Sequence, residues 1–315
     1  MHAAHDTLLV ITVHRVAPGV YAAKNRFVWN GWVELPDGIL VIDGGYDARS
    51  ARALADTIRV HSGPKPFRYL VVTSTQVDHI GGVRTFAGLG ATVIAQANVV
   101  NAVRDSLLQG AAGASSDSAG AGASKRLHGM VRRPKESSVR KPLIELKNRL
   151  VLGAKARPVV IEWLGRPACT GGDIFVYLPK QRVLFTGDLA WNLSVPWLVD
   201  PKFSRLGWLA TIDTLLTRRF DVDSLVPGHG VIGTKLDGLM FTRRYLTGAW
   251  ELASKEAGWG VPVDNVDQWG DLGSYEDMEF YDPVHFMNMR RLYLESKGIK
   301  TPGRLRPGVI MPKRP

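Results

Sequence analysis

An α/β fold is predicted for this chain by two features of its first half. Short apolar runs rich in β-branched residues alternate with segments of helical periodicity. One such run, Phe67 to Val72, leads directly into a polar loop that ends in Gly81-Gly82. In α/β proteins, chemistry is commonly built where a strand ends in such a loop.

The elements follow in order. Val13 to Tyr21, Phe27 to Leu35 and Gly38 to Ile42 read as short β-rich runs, punctuated by turn signals at Pro18-Gly19 and Pro36-Asp37-Gly38. Asp47 to His61 carries Ala51, Leu54, Ala55 and Ile58 on one face and charged residues on the other, which predicts an amphipathic helix. After the Phe67–Val72 strand and its loop come a helix, a strand at Ala91 to Ala95 and a further helix from Ala97. Gly110 to Ser124 is nearly all Gly, Ala, Ser and Asp, and a basic stretch follows it with Lys125, Arg126, Arg132, Arg133, Lys135, Arg140 and Lys141. We read 110–141 as an exposed flexible insertion. Strands resume at Leu150 to Leu152, Val159 to Trp163, Ile174 to Leu178 and Val183 to Thr186, the last two joined as a hairpin by Pro179-Lys180-Gln181. A helix at Leu206 to Leu216, a strand at Ser224 to Val226 and a long helix at Leu236 to Ala257 complete the pattern. The organisation is one domain over residues 1–297 and an irregular basic tail over 298–315.

Composition excludes several classes. With 315 residues, 45% hydrophobic and 22% charged, the chain is globular in character, neither disordered nor fibrous. Cys169 is its only cysteine, so an intrachain disulfide and an all-cysteine zinc site are excluded. No apolar run approaches the roughly 18–20 residues that span a bilayer, and no membrane partner is expected. Met1 to Val13 lacks a basic start and a small-residue cleavage site, so as written the chain reads as cytoplasmic; had a signal been removed ahead of it, it would be periplasmic or secreted. The net charge of +11 permits nucleic acid or acidic ligands as partners. Base-stacking and groove-reading motifs are absent, however, and a small-molecule substrate is expected instead of nucleic acid. No feature of the sequence sets an oligomeric state.

Four segments place a metal-type donor beside glycine at a strand end: Asp78-His79-Ile80-Gly81-Gly82, Cys169-Thr170-Gly171-Gly172-Asp173, Thr186-Gly187-Asp188 and Pro227-Gly228-His229-Gly230. Strand ends fix side chains, glycines let backbones crowd together, and carboxylate and imidazole are suitable donors for a zinc-like ion.

In these segments, and in Ile42-Asp43-Gly44-Gly45, the chain resembles the metallo-β-lactamase superfamily from about Val16 to Gly233. The resemblance implies a four-layer αββα sandwich with metal ligands gathered at one edge of two packed sheets, and hydrolytic chemistry. The family signature is Thr-His-x-His-x-Asp-His-x-Gly-Gly, a later His before Thr, an Asp in Thr-Gly-Asp and a His in Pro-Gly-His-Gly. Here Thr73 matches, but Ser74 and Gln76 stand where the first two histidines belong, and Cys169 where the third does. The donors of the second site, Asp78, His79, Asp188 and His229, all match.

Neutral Ser and Gln are poor zinc ligands, whereas a thiolate is a good one. The leading expectation is therefore a single zinc ion on Asp78, His79, Asp188 and His229, with Cys169 either an added ligand or a small packed residue; another divalent metal is also compatible. The function implied is hydrolysis of a lactam, lactone or ester. Asp78 and Asp188 would be its catalytic carboxylates, Asp188 serving as general base, and Gln76 and Ser74 donors to the developing oxyanion. The alternative is a non-catalytic or metal-free member that binds a small ligand. Trp29, Trp32, Trp191 and Trp197 are read as pocket walls. His285 is read as a packing residue, and His2, His5, His14, His61 and His128 as surface residues.

Overall fold

The structure, a computed structural model, describes residues 10–108, 143–153, 157–266 and 271–299. The insertion read at 110–141, nearly all of the tail, and His2, His5 and His128 lie outside the described residues.

The chain opens with four antiparallel strands, β1 (Ile11–Ala17), β2 (Val20–Asn25), β3 (Val28–Leu35) and β4 (Gly38–Ile42). The run read as Val13 to Tyr21 is thus two strands, folded back at Pro18-Gly19, where Gly19 has φ +69°. Helix α1 (Ala48–Ser62) follows. Its N-cap Asp47 accepts from the Ser50 N–H at 2.7 Å, and the Ser50 hydroxyl accepts from the Asp47 N–H at 2.9 Å. Such a cap contributes about 1 kcal/mol. Then come β5 (Phe67–Val71), the short helices α2 (Val77–Ile80) and α3 (Val83–Gly88), β6 (Thr92–Gln96), α4 (Val100–Leu108) and β7 (Leu143–Leu146). The last of these was not read from sequence. In the second half, β8 (Arg149–Leu152), β9 (Val159–Glu162), β10 (Phe175–Leu178) and β11 (Val183–Asn192) precede α5 (Arg205–Thr217), β12 (Ser224–Gly230), α6 (Lys235–Trp259) and α7 (Tyr281–Ser296).

The strands form one hydrogen-bonded path, β7-β6-β5-β4-β3-β12-β11-β10-β9-β8, with β1 and β2 branching from β3. Its two halves meet at a single register pair, His229 opposite Val28. The halves pack on each other through alternate residues. Trp29 and Val33 of β3 join Val159 and Ile161 of β9, Val176 of β10 and Phe185 of β11 in one buried cluster. The intervening residues face outward: Trp32 meets α1 and α3 in a second cluster, and Val160 meets the α5, α6 and α7 side in a third. Period-2 alternation therefore yields helix, sheet, sheet, helix. This is the αββα sandwich that the resemblance implied. Among the described residues no helix is long and apolar enough to cross a membrane.

Candidate functional site

The site lies on the seam between the two halves. Four chain segments deliver it: the turn after β4, the loop from β5 into α2, the far half of β11, and the end of β12.

Asp78 and His79 occupy the single turn of α2. That turn docks on the Asp43-Gly44-Gly45 turn through hydrogen bonds from the Gly44 N–H to His79 O (2.9 Å) and from the Gly82 N–H to Gly45 O (3.2 Å). A Cβ on Gly82 would sit 1.9 Å from Gly44 O, so only glycine permits this approach. Asp43 has φ +61°, a conformation that Asp tolerates better than most residues. There its carboxylate accepts from the Thr73 N–H (2.8 Å) and Thr73 Oγ1 (2.6 Å) and lies 2.8 Å from His79 Nδ1. His79 is thereby oriented with Nε2 pointing inward.

Asp188 lies within β11, which continues past Thr186 to Asn192 because the chain stays buried and pairs in parallel with β12. The register shifts on either side of Gly187, and such bulges re-aim side chains. A Cβ on Gly228 would lie 2.6 Å from Asp188 Oδ1. Glycine in the Pro-Gly-His segment is what admits the carboxylate. His229 Nδ1 donates to Phe27 O at 3.0 Å, which turns Nε2 toward the same point as that of His79.

The donors converge. His79 Nε2 lies 3.0 Å from Asp188 Oδ1 and 3.9 Å from Asp78 Oδ2. His229 Nε2 lies 3.1 Å from Asp78 Oδ2 and 3.4 Å from Asp188 Oδ1, but is aligned for a hydrogen bond to neither. Asp188 Oδ2 is likewise buried without a hydrogen-bond partner. Donor atoms of Asp78, His79 and His229 all lie within 4.8 Å of one another, and all three residues are buried. Inward-facing imidazole nitrogens and the orphaned Asp188 Oδ2 fit a divalent cation, since buried polar atoms otherwise find partners.

The electrostatics agree. Burial alone would lower the His79 pKa, but the carboxylates of Asp188, Asp43 and Asp78 raise it well above the usual imidazole value. His229 is also raised, burial again being outweighed by Asp188 and Asp78. Burial would raise Asp188; the two imidazoles instead hold it well below the usual carboxylate range. The cage attracts positive charge.

The positions that depart from the family signature form a different kind of cluster. The Ser74 hydroxyl accepts from the Gln76 N–H at 3.4 Å, and Gln76 Nε2 donates to Cys169 Sγ at 3.0 Å. Cys169 Sγ faces Trp197 O at 3.7 Å, and burial, with Asp188, Asp173 and Asp200 nearby, pushes its thiol well above the ordinary value. The sulfur is therefore held as a neutral thiol.

Of the tryptophans read as pocket walls, Trp191 stacks on His229 at 3.8 Å between ring centres, and its backbone is clamped on both sides by the α6 hydroxyl of Thr242. Trp197 reaches the site through Phe280, and Trp29 braces the end of β12 by donating to Gly230 O at 2.9 Å. Trp32 points the other way. It donates to Ser62 Oγ and stacks on Tyr21, because even positions of β3 face α1. His285 packs as expected, stacked on Tyr281 with Nδ1 2.9 Å from Tyr245 Oη; His14 and His61 are exposed. Sequence reading gave no role to Asp43, Phe27 or Phe280. The turn residues Asp43-Gly44-Gly45 were a usable signal for the first; the other two act through a backbone carbonyl and a ring brought in from far along the chain.

No curated protein matches this chain. A family model described as the metallo-beta-lactamase superfamily matches residues 24–229. Solved structures of similar fold include a metallo-beta-lactamase from Pontibacter korlensis, at 18% identity and TM-score 0.58, covering 76% of this chain and 99% of that one. The DIM-1 metallo-beta-lactamase is similar at 16% identity and TM-score 0.56, covering 76% and 98%. The stereoselective inverting sec-alkylsulfatase Pisa1 from Pseudomonas sp. is similar at 19% identity and TM-score 0.62, covering 95% of this chain; the chain spans only 51% of that enzyme. The family match covers more than half of the sequence and contains Asp78, His79, Asp188 and His229. This chain therefore belongs to the metallo-beta-lactamase superfamily, whose members are metal-dependent hydrolases.

Proposed function

We propose that the chain is a hydrolase of a small carbonyl compound, a lactam, lactone or ester, working with one zinc-like ion held by Asp78, His79, Asp188 and His229. The observation that carries this reading is the buried convergence of two imidazole nitrogens on two carboxylates, with His229 Nε2 and Asp188 Oδ2 left without hydrogen bonds. When bound, such an ion acidifies water and polarises a carbonyl.

The protein's own groups do the rest. Asp43 fixes the orientation of His79, and the Phe27 carbonyl fixes that of His229. Asp188 remains ionised across the neutral range, so Oδ2 can accept a hydrogen bond from the attacking water and orient it. Gln76 commits one N–H to Cys169 and retains a second, and Ser74 has a hydroxyl hydrogen to offer; these are the donors for a developing oxyanion.

The test is elemental analysis of purified protein, combined with turnover of chromogenic lactams, lactones and esters by wild type and His229→Ala. About one equivalent of metal and activity lost with His229 are expected, because removing one partner of a buried charged cluster leaves the others uncompensated, at about 3–5 kcal/mol. Absence of metal from wild type would favour the ligand-binding, non-catalytic alternative. Activity unchanged in His229→Ala would remove the mechanism, and turnover confined to a sulfate ester would keep the ion and replace the carbonyl substrate.

A further inference from the structure

The His229 ring sits among other rings. Trp191 is nearly parallel to it on one contact, and Phe27 is stacked at 5.9 Å and 16° on another. Phe280 then meets this group edge-on, 6.1 Å from His229, 5.5 Å from Phe27, 6.5 Å from Trp191 and 5.7 Å from Trp197. Phe27, Trp197 and Phe280 are only half-buried, so apolar ring surface stays open beside a proposed metal ligand.

Phe280 is an unusual residue for its position. It is the N-cap of α7, where Ser, Thr, Asp or Asn is favoured, and makes no side-chain cap bond. Its φ is +68°, a conformation that costs a bulky residue on the order of 1–3 kcal/mol. Leu193, with φ +58°, is joined to the residue before it: the Glu279 N–H donates to Leu193 O at 3.4 Å, and the Val195 N–H donates to Glu279 O at 2.8 Å. Helix α7 also pins the loop that carries Trp197. Asn288 accepts from the Leu198 N–H (3.0 Å) and donates to Pro196 O (2.7 Å), and Arg291 donates to Leu198 O (2.7 Å). A cap and a relaxed backbone are thus forgone to hold rings rigidly at one place. Charged groups of the adjoining hairpin are paired, Lys24 with Glu279 and Arg26 with Asp47, each at 3.7 Å, which suits a neutral ligand.

We infer that Phe280, with Phe27 and Trp197, forms a specificity wall that receives a planar aromatic group of the substrate, Phe280 being the residue that sets the preference. This rests on the hydrolase reading above for the word substrate; binding of the ring itself does not.

The experiment titrates protein as purified, its metal content measured on the same sample, with phenylacetamide and with acetamide. Phenylacetamide should bind at least about tenfold more tightly. Phe280→Gly suits the backbone and deletes the ring, and should lower phenylacetamide affinity about tenfold while shifting acetamide far less. Trp197→Leu, which leaves α7 intact, should act in the same direction. In turnover, Phe280→Gly should bring the ratio of kcat/KM for p-nitrophenyl phenylacetate over p-nitrophenyl acetate toward one, with metal content unchanged. Equal binding of the two amides by wild type, or undiminished phenylacetamide affinity in folded Phe280→Gly, overturns the inference. A metal-free wild type that still prefers phenylacetamide sinks the hydrolase reading and leaves the wall standing.

Discussion

Two adjoining clusters at the sheet seam answer the same physical problem in opposite ways. On one side, Asp78, His79, Asp188 and His229 crowd charged and basic groups together and leave His229 Nε2 and Asp188 Oδ2 without hydrogen-bond partners. On the other, Ser74, Gln76 and Cys169 stand where the family signature has histidines, and they satisfy one another with neutral hydrogen bonds. A neutral cluster needs no counter-charge. A buried group of carboxylates is costly without positive charge beside it, which the two imidazoles supply when protonated and a bound cation would supply in their place. Both clusters draw on the loop from β5 into α2, which supplies Ser74 and Gln76 to one and Asp78 and His79 to the other, so side-chain charge rather than chain segment separates them.

The sharpest way to break the contrast is to refill the neutral side. Ser74→His, Gln76→His and Cys169→His together should bind a second equivalent of zinc, measured by elemental analysis; a triple variant still holding one would show that side chains alone do not separate the clusters. Next in size is Asp43→Asn, which keeps the shape but weakens the hold on His79. Metal affinity should fall about 10–100-fold by chelator competition, and an unchanged affinity would mean that Thr73 and packing orient the imidazole unaided.

Asp173 gives a smaller, pH-dependent effect. Burial raises its carboxyl from 3.8 to about 7 despite hydrogen bonds from Thr170, with Asp188 and Asp200 adding to the rise. A group protonated more readily when folded contributes stability present in full below its unfolded value and lost as pH climbs through the folded one. Relative to Asp173→Asn, wild type should therefore lose stability from about pH 4 to about pH 7, seen as a shrinking difference in urea midpoints; parallel profiles would contradict the buried, protonated carboxyl. The least change is expected of Cys169→Ala: on the order of 1 kcal/mol of stability from a small cavity, with metal content intact. Metal lost with the thiol would make Cys169 a ligand and join the two clusters.

Much of this was legible in the chain itself. The helix at 48–62 is announced by its Asp cap and spaced apolar residues, and the donors by glycine-flanked strand ends, because these signals are local. Strand β7, four residues long with only Leu146 fully buried, escaped because it depends on pairing with β6. The extension of β11 through Asp188 escaped for a similar reason: glycine and aspartate are poor strand formers, and parallel pairing with β12 carries the strand past the irregular Gly187, whose φ is +50°.

The sequence alone thus determined which side chains are of a type able to bind a cation, which signature positions no longer carry histidine, and the alternation from which both sheets are built. These are properties of residue type and short-range periodicity. Tertiary structure decided that Trp32 faces α1 while Trp29 braces β12, that Asp43 orients His79, and that Phe280 meets His229 from far along the chain. Such choices depend on contacts between residues distant in sequence, where strand register and helix docking, rather than local preference, set which atoms meet.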